Sequence, residues 1–312
     1  MNGPVAEKPP ILKGSTGVMV LSTLVAFIVS WLFVLGSRDG ETGSAAITRS
    51  EDILSVLPDD GTLGFVAIEA GPFIMGSDPA TDHMAYDNER WSRIRRQGEV
   101  TLPQYYMARH EVTVEQFRAF VDGTAYTVAG DAWRGRSDHP VTQVAWTDAV
   151  NYTRWLQERL RGSDETPAEI RERLAEGWQL SLPSEAEWEK AARGTDGRIF
   201  PWGSQPVRGY ANFNSTDTVP AGSLNCIRCA HGLQDMAGNV WELTRSPMQP
   251  YPWDPGDDFN DLESEALWVM RGGSFSDPVN NIRTAVRGAV DPGARRDNIG
   301  FRLALVPPES LP

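Results

Sequence analysis

Two cysteines three positions apart, Cys226 and Cys229 in NCIRCAHG, are the first residues of this 312-residue chain whose type and spacing could do chemistry. Outside the cytoplasm the simplest product of such a pair is a small-loop disulfide pinning a surface turn. A thioredoxin-like dithiol wants the pair at a helix start after a strand, and the surrounding residues read as loop. Haem attachment needs a histidine directly after the second cysteine, but Ala230 stands before His231. A zinc half-site lacks two further soft ligands nearby, since the other histidines, His83, His110 and His139, are scattered. The disulfide is therefore the expectation. The acidic run DFNDLESE (258–265) reads as a solvated face.

Composition narrows what else these residues could serve. Lys+Arg 29 against Asp+Glu 42 gives a net charge of −13. A surface that acidic repels phosphate backbones, which argues against a nucleic-acid partner. With Cys 2, neither a disulfide-dense scaffold nor a four-thiolate metal site can be built. Gly 29 and Pro 22 predict many loops, and Trp 11 suggests a loop-rich core pinned by aromatics.

The elements that must hold such a site begin after an apolar segment. Residues 18–36, VMVLSTLVAFIVSWLFVLG, carry no charge, and at 1.5 Å per residue they span roughly 28 Å of helix, about the hydrocarbon thickness of a bilayer. A core helix would show a polar face. A signal peptide has a shorter apolar region and a small-x-small cleavage site. An uncleaved transmembrane anchor fits better, with Lys8 and Lys13 placing the N-terminus in the cytoplasm. Residues 1–17 are then a cytoplasmic tail and 37–62 a polar tether. Residues 63–307 read as one domain and 308–312 as a tail. Within the domain, Thr113 and Gln116 form a capping-box pattern ahead of Phe117, Phe120 and Val121. Ala149, Tyr152, Leu156 and Leu160 form a helical stripe. Thr166, Pro167 and Glu169 predict a short charged helix, and Ser184 with Glu187 caps one carrying Trp188, Ala191 and Ala192. The remainder reads as short strands punctuated by Gly, Pro and Asn. The class is α+β with much irregular structure.

Eight segments then follow in order: FVAIEAGPFIMGSD (65–78), YYMARHEVTVEQFRAFV (105–121), HPVTQVAWTDAVNYTRWL (139–156), LPSEAEWEKAARG (182–194), FPWG (200–203), GLQDMAGNVWEL (232–243), RGGSF (271–275) and NIGFRLA (298–304). Together they resemble the formylglycine-generating, sulfatase-modifying-factor family. The resemblance covers 65–305 and implies a compact α+β domain related to C-type lectins. It also implies a chemistry. The oxidising members hold a cuprous ion on two cysteines after RGGS, and here those positions read Asp277 and Ile282. A carboxylate is a poor cuprous ligand and an isoleucine is none, so copper is not expected. Trp241, Ser274 and Asn298 match positions lining the family's groove, with Asp277 and Arg287 beside them. The related ergothioneine-type iron enzymes use a His-rich helical domain that four scattered histidines do not supply.

The resemblance further implies calcium in DMAGNVWE, held by the Asp235 and Glu242 carboxylates and the Gly238 and Val240 carbonyls. These are hard oxygen donors of the kind calcium accepts. A second family site would use Asn212, but its aspartate-containing loop is shortened to STDTVPAG. The expected protein is a single-pass membrane protein displaying this domain in the periplasm or extracellularly. It would act as a non-catalytic binding or assembly subunit, accessory to a membrane or periplasmic redox complex. The alternative is a divergent oxidase with another metal centre, for which Asp277, Ser274 and Arg287 would be suspects.

Overall fold

A computed structural model describes residues 53–311 apart from 132, 134 and 260. The expected tail, the transmembrane segment 18–36 and residues 37–52 of the tether lie outside the described residues. Among the described residues no helix is long and apolar enough to cross a membrane.

Two four-stranded sheets carry the domain. In the first, β1 (Phe65–Ile68), β4 (Tyr105–Ala108), β10 (Ala304–Val306) and β5 (Gln179–Ser181) lie side by side in that order, all antiparallel. In the second the order is β8 (Arg287–Val290), β7 (Trp268–Arg271), β6 (Trp241–Pro247) and β9 (Ile299–Gly300), with only the β6–β9 pair parallel. A separate hairpin joins β2 (Gly71–Met75) to β3 (Gly98–Leu102). Helices α2 (Val114–Thr124) and α3 (Trp146–Arg161) cover one core, and α5 (Glu185–Arg193) fills another.

Local sequence explains the helix ends. Thr113 accepts from the Gln116 N–H while the Gln116 side chain accepts from the Thr113 N–H, and Ser184 and Glu187 exchange the same pair of bonds. The stripe Ala149, Tyr152, Leu156 and Leu160 is fully buried on α3. Trp146, at the start of α3, stacks on Trp268 of β7 at 3.7 Å between centroids, a contact worth about 1 kcal/mol beyond its area. The predicted cap at Thr166 forms differently. Helix α4 (Ala168–Ala175) starts after Pro167, and the Thr166 hydroxyl donates back to the Leu160 carbonyl instead.

Both ends of the described chain pack against the domain. Helix α1 (Ile53–Val56) folds onto α2, with Ile53 buried and the Val56 carbonyl accepting from the Gln116 side chain. Ile53, Leu54, Val56 and Leu57 are an apolar turn too short to register as a periodic pattern, so the end of the tether belongs to the fold. At the other end, the Ser310 carbonyl accepts from Arg245 and Leu311 packs against the α5 core. Ser310 and Leu311 are thus docked against the domain.

Every residue of α5 is buried, including Glu185, Glu187, Glu189, Lys190 and Arg193. Glu185 and Glu189 lie one turn apart on the same helix face, and Arg271 of β7 spans them with bonds of 2.9 Å and 2.6 Å. Glu187 faces the other way and receives Arg245 of β6 through bonds of 2.6 Å and 2.7 Å. Arg287 of β8 completes Glu185, Arg193 completes Glu189, and Lys190 donates to the Glu69 and Gly71 carbonyls. Removing one member of such a buried set strands the charges left behind. Arg271→Met should therefore lower unfolding stability by about 3 kcal/mol or more in urea titration; a change below about 1 kcal/mol would show that the neighbouring arginines suffice.

Asp258 sits beside this network, 1% exposed, bonded to the Ser246 hydroxyl. Burial pushes its carboxyl up to about 7, against the opposing pull of Arg245. A raised folded-state pKa favours the protonated form, so the stability Asp258 contributes is present below about pH 4 and is lost as pH rises through 7. Relative to Asp258→Asn, the wild type should lose at most about 4 kcal/mol between pH 4 and pH 8. Parallel urea midpoints for the two proteins would reveal a pH-independent difference if the shift were absent.

Candidate functional site

The turn after β7 builds a polar knot. Gly273 has φ +71, and a Cβ there would lie 2.5 Å from the Asn281 carbonyl oxygen, so only glycine lets the chain turn back under the following helical turn. The turn delivers Asp277, whose Oδ2 accepts from Trp241 Nε1 (2.8 Å), the Ser274 N–H (3.0 Å) and the Ser274 hydroxyl (2.5 Å). Its Oδ1 accepts from Asn281 Nδ2 at 2.7 Å. Asn298 Nδ2 donates to the Ser274 hydroxyl at 3.3 Å, and the Asn298 carbonyl accepts from the Trp241 N–H. The structure thus brings together Trp241, Ser274, Asp277 and Asn298, with Ser274 buried and Asp277 and Asn298 half-buried.

Ile282, the second position matching a family cysteine, is fully buried among Phe200, Trp202, Cys226 and Cys229. Cys226 and Cys229 are disulfide-bonded, with Cα atoms 5.4 Å apart, and Ile227 between them is exposed. The bridge therefore backs an apolar cluster as well as pinning a turn.

Arg287 does not join the knot. Glu242, Arg271 and Arg287 are cross-strand partners in one row of β6, β7 and β8, so their side chains share a face. That face looks onto α5, where Arg287 engages Glu185. Trp241, one residue before Glu242, points to the opposite face, where a Cβ on Gly288 would lie 3.2 Å from its ring. Strand alternation, invisible until the register is known, separates the expected groove residues.

Two of the expected calcium donors, Glu242 and Asp235, have partners of their own. Both Glu242 oxygens are taken by Arg302 (2.6 Å and 2.7 Å), and Trp188 Nε1 donates to one of them at 2.7 Å. The same guanidinium donates to the Ala108, Arg109 and Gln234 carbonyls. A divalent cation at Glu242 would face a bound positive charge. Gly238 donates its N–H to the Gly272 carbonyl, and Val240 is fully buried. Asn212 is tied to the Asp217 carbonyl and the Asn239 side chain. Asp235 instead meets Glu111, a residue the sequence reading passed over. Asp235 Oδ2 accepts from the Gly222 N–H, and Glu111 Oε1 accepts from Asn239 Nδ2. Their remaining oxygens are buried without a donor. Burial, with Asp235 alongside, pushes the Glu111 carboxyl well above the usual range, and a proton kept on Glu111 can be donated to Asp235. Among the described residues no group of three or more His, Cys, Asp or Glu is arranged to hold a metal ion.

Glu111 and Arg302 were legible only as types, in HEVT and GFRLA; nothing in either segment names the partner. Asn281 carried no signal at all. Because Asp277 satisfies four donors at once, Asp277→Ala should cost about 2–4 kcal/mol through stranded donors. Asp277→Asn, which keeps one carbonyl oxygen, should cost less; thermal melts that rank the two variants equally would mean the knot adds little.

The sulfatase-modifying factor enzyme 1-like domain matches residues 57–306. The hercynine oxygenase of Mycolicibacterium smegmatis is 30% identical over 263 residues, which cover 77% of this chain and 60% of that protein. The formylglycine-generating enzyme of Streptomyces coelicolor is 29% identical over 286 residues, covering 79% of this chain and 82% of that protein. Among solved structures, PvdO from Pseudomonas aeruginosa superposes with a TM-score of 0.62 at 25% identity, over 77% of this chain and 93% of that one. This chain thus spans only part of the length of the hercynine oxygenase it matches. The folded domain with its Trp241–Ser274–Asp277–Asn298 knot belongs to the sulfatase-modifying factor enzyme 1-like domain family.

Proposed function

We propose that this chain is a membrane-anchored, extracytoplasmic family member that works as a binding or assembly subunit, accessory to a membrane or periplasmic redox complex. The observation that supports this reading is the state of Asp277. Its carboxylate is consumed by Trp241, Ser274 and Asn281, so it serves the turn's own architecture. Ile282 beside it is closed into an apolar cluster. Cuprous ion wants two soft thiolates at these positions, and the two cysteines of the chain are spent on each other. In this reading residues 18–36 hold the protein in the membrane, with the N-terminus in the cytoplasm.

A second reading, a divergent enzyme with a different centre, draws on the relatives, which are named as enzymes. Metal analysis of the purified domain separates the two, redox-active copper or iron favouring the enzyme, and one assay tests the family's oxidation directly. The purified domain is incubated with copper, oxygen, a reductant and a Cys-x-Pro-x-Arg peptide, beside a formylglycine-generating enzyme as positive control. No aldehyde should form in the wild-type reaction while the control turns over. A peptide mass loss that a hydrazine reagent traps would overturn the non-catalytic reading.

A further inference from the structure

An arginine-rich hairpin in this acidic protein borders a cleft that the polar knot does not use. Arg90, Arg93, Arg95 and Arg96 fall within seven residues of a chain whose net charge is −13. The hairpin is fixed: the Trp91 N–H donates to the Arg96 carbonyl and the Ser92 N–H to the Arg95 carbonyl, both at 2.9 Å. Trp91 anchors it, lying against Tyr251 at 5.5 Å between centroids. The indole also fits over Gly98, where a Cβ would fall 2.0 Å from the ring, so β3 must present a glycine there.

The cleft beside the hairpin has a volume of about 580 Å³, within the range of small-molecule sites. Met248, Pro250 and Tyr251 give it an apolar wall, and Arg90 and Arg93 line its exposed rim. Buried Arg287 also lines it, stacked over the Tyr251 ring at 3.9 Å. Its charge is spent on Glu185, and its other donors reach the Asn88 and Gln249 carbonyls. The rim arginines are different. Arg90 Nε is buried without a partner, and the only ion pair of Arg90 among the described residues is a 3.7 Å approach to a fully exposed Asp87. Arg93 is exposed and makes no hydrogen bond or ion pair among the described residues. Unspent guanidinium beside an apolar wall suits an oxyanion attached to an apolar body, because the fork donates to two oxygens while the wall takes the remainder.

We infer that this cleft binds a small organic oxyanion, a phosphate ester or carboxylate carrying an aromatic or aliphatic group, held by Arg90 and Arg93 against Met248, Pro250 and Tyr251. The site is independent of the Trp241–Asp277 knot and of the function proposed above. It lies on the far side of the second sheet, since Arg287 and Trp241 face opposite ways.

Calorimetric titration of the full chain in mild detergent tests the site with phenyl phosphate, inorganic phosphate and benzyl alcohol. Phenyl phosphate should saturate one site with a Kd on the order of 0.1–1 mM. Inorganic phosphate and benzyl alcohol, each lacking half the recognition, should bind at least tenfold more weakly. Arg93→Glu, a surface change that should leave the melting temperature unaltered, should weaken phenyl phosphate at least tenfold, and Arg90→Gln should follow it. Asp87→Asn, which removes the competing carboxylate, should tighten binding. No saturable binding at 10 mM (a probe level about tenfold above the weakest expected Kd), equal affinity for benzyl alcohol or inorganic phosphate, or an Arg93→Glu affinity within twofold of wild type would each overturn the site.

Discussion

Three glutamates on one nine-residue helix organise this domain. A short helix rich in charge is an ordinary surface element, yet α5 lies wholly inside. It can do so because guanidinium groups arrive from both directions: Arg271 and Arg287 from β7 and β8 reach Glu185 and Glu189, and Arg245 from β6 reaches Glu187. Desolvating these charges is costly, and well-packed apolar residues could give as much stability. What the ion pairs add is register. A slip of one residue in β7 would turn Arg271 away from α5 and leave two buried carboxylates short of a cation. The helix and the second sheet therefore fix each other's position, and with it Trp241 at the start of β6 and the Ser274 turn that follows β7.

The same device recurs around the domain. Arg302 holds Glu242 and the Ala108, Arg109 and Gln234 carbonyls, joining the end of β4 to the beginning of β6. Arg283 holds Asp82 and Glu89 and so pins the long connection between β2 and β3. A loop-rich domain with strands of two to seven residues has few ladder bonds to rely on, and the buried arginines connect what the sheets do not.

Local signals were legible and long-range ones were not. The capping boxes at Thr113 and Ser184 depend on residues three apart, so type and spacing disclose them. The pairing of Asp277 with Trp241 spans 36 positions, and that of Arg302 with Glu242 spans 60. Asp277 could be read as a lost cysteine, but its new role as the acceptor at the centre of a turn depends on where Trp241 and Asn281 land. Glu242 reads as an oxygen donor from its own segment, and its pairing with Arg302 has no local signal that could disclose it. Ile53 to Leu57 escaped notice because one helical turn has no period.

The position of β10 sets a constraint of another kind. The strand nearest the C-terminus lies between β4 and β5, in the middle of the first sheet. Until residues 304–306 have left the ribosome, β4 lacks its inner neighbour and the edge of β5 has nothing to pair with. The chain can collapse while it is being synthesised, but it cannot close this sheet progressively from its beginning. Completion waits for the last residues, and non-local closure of this kind is slow and leaves open strand edges in the interval.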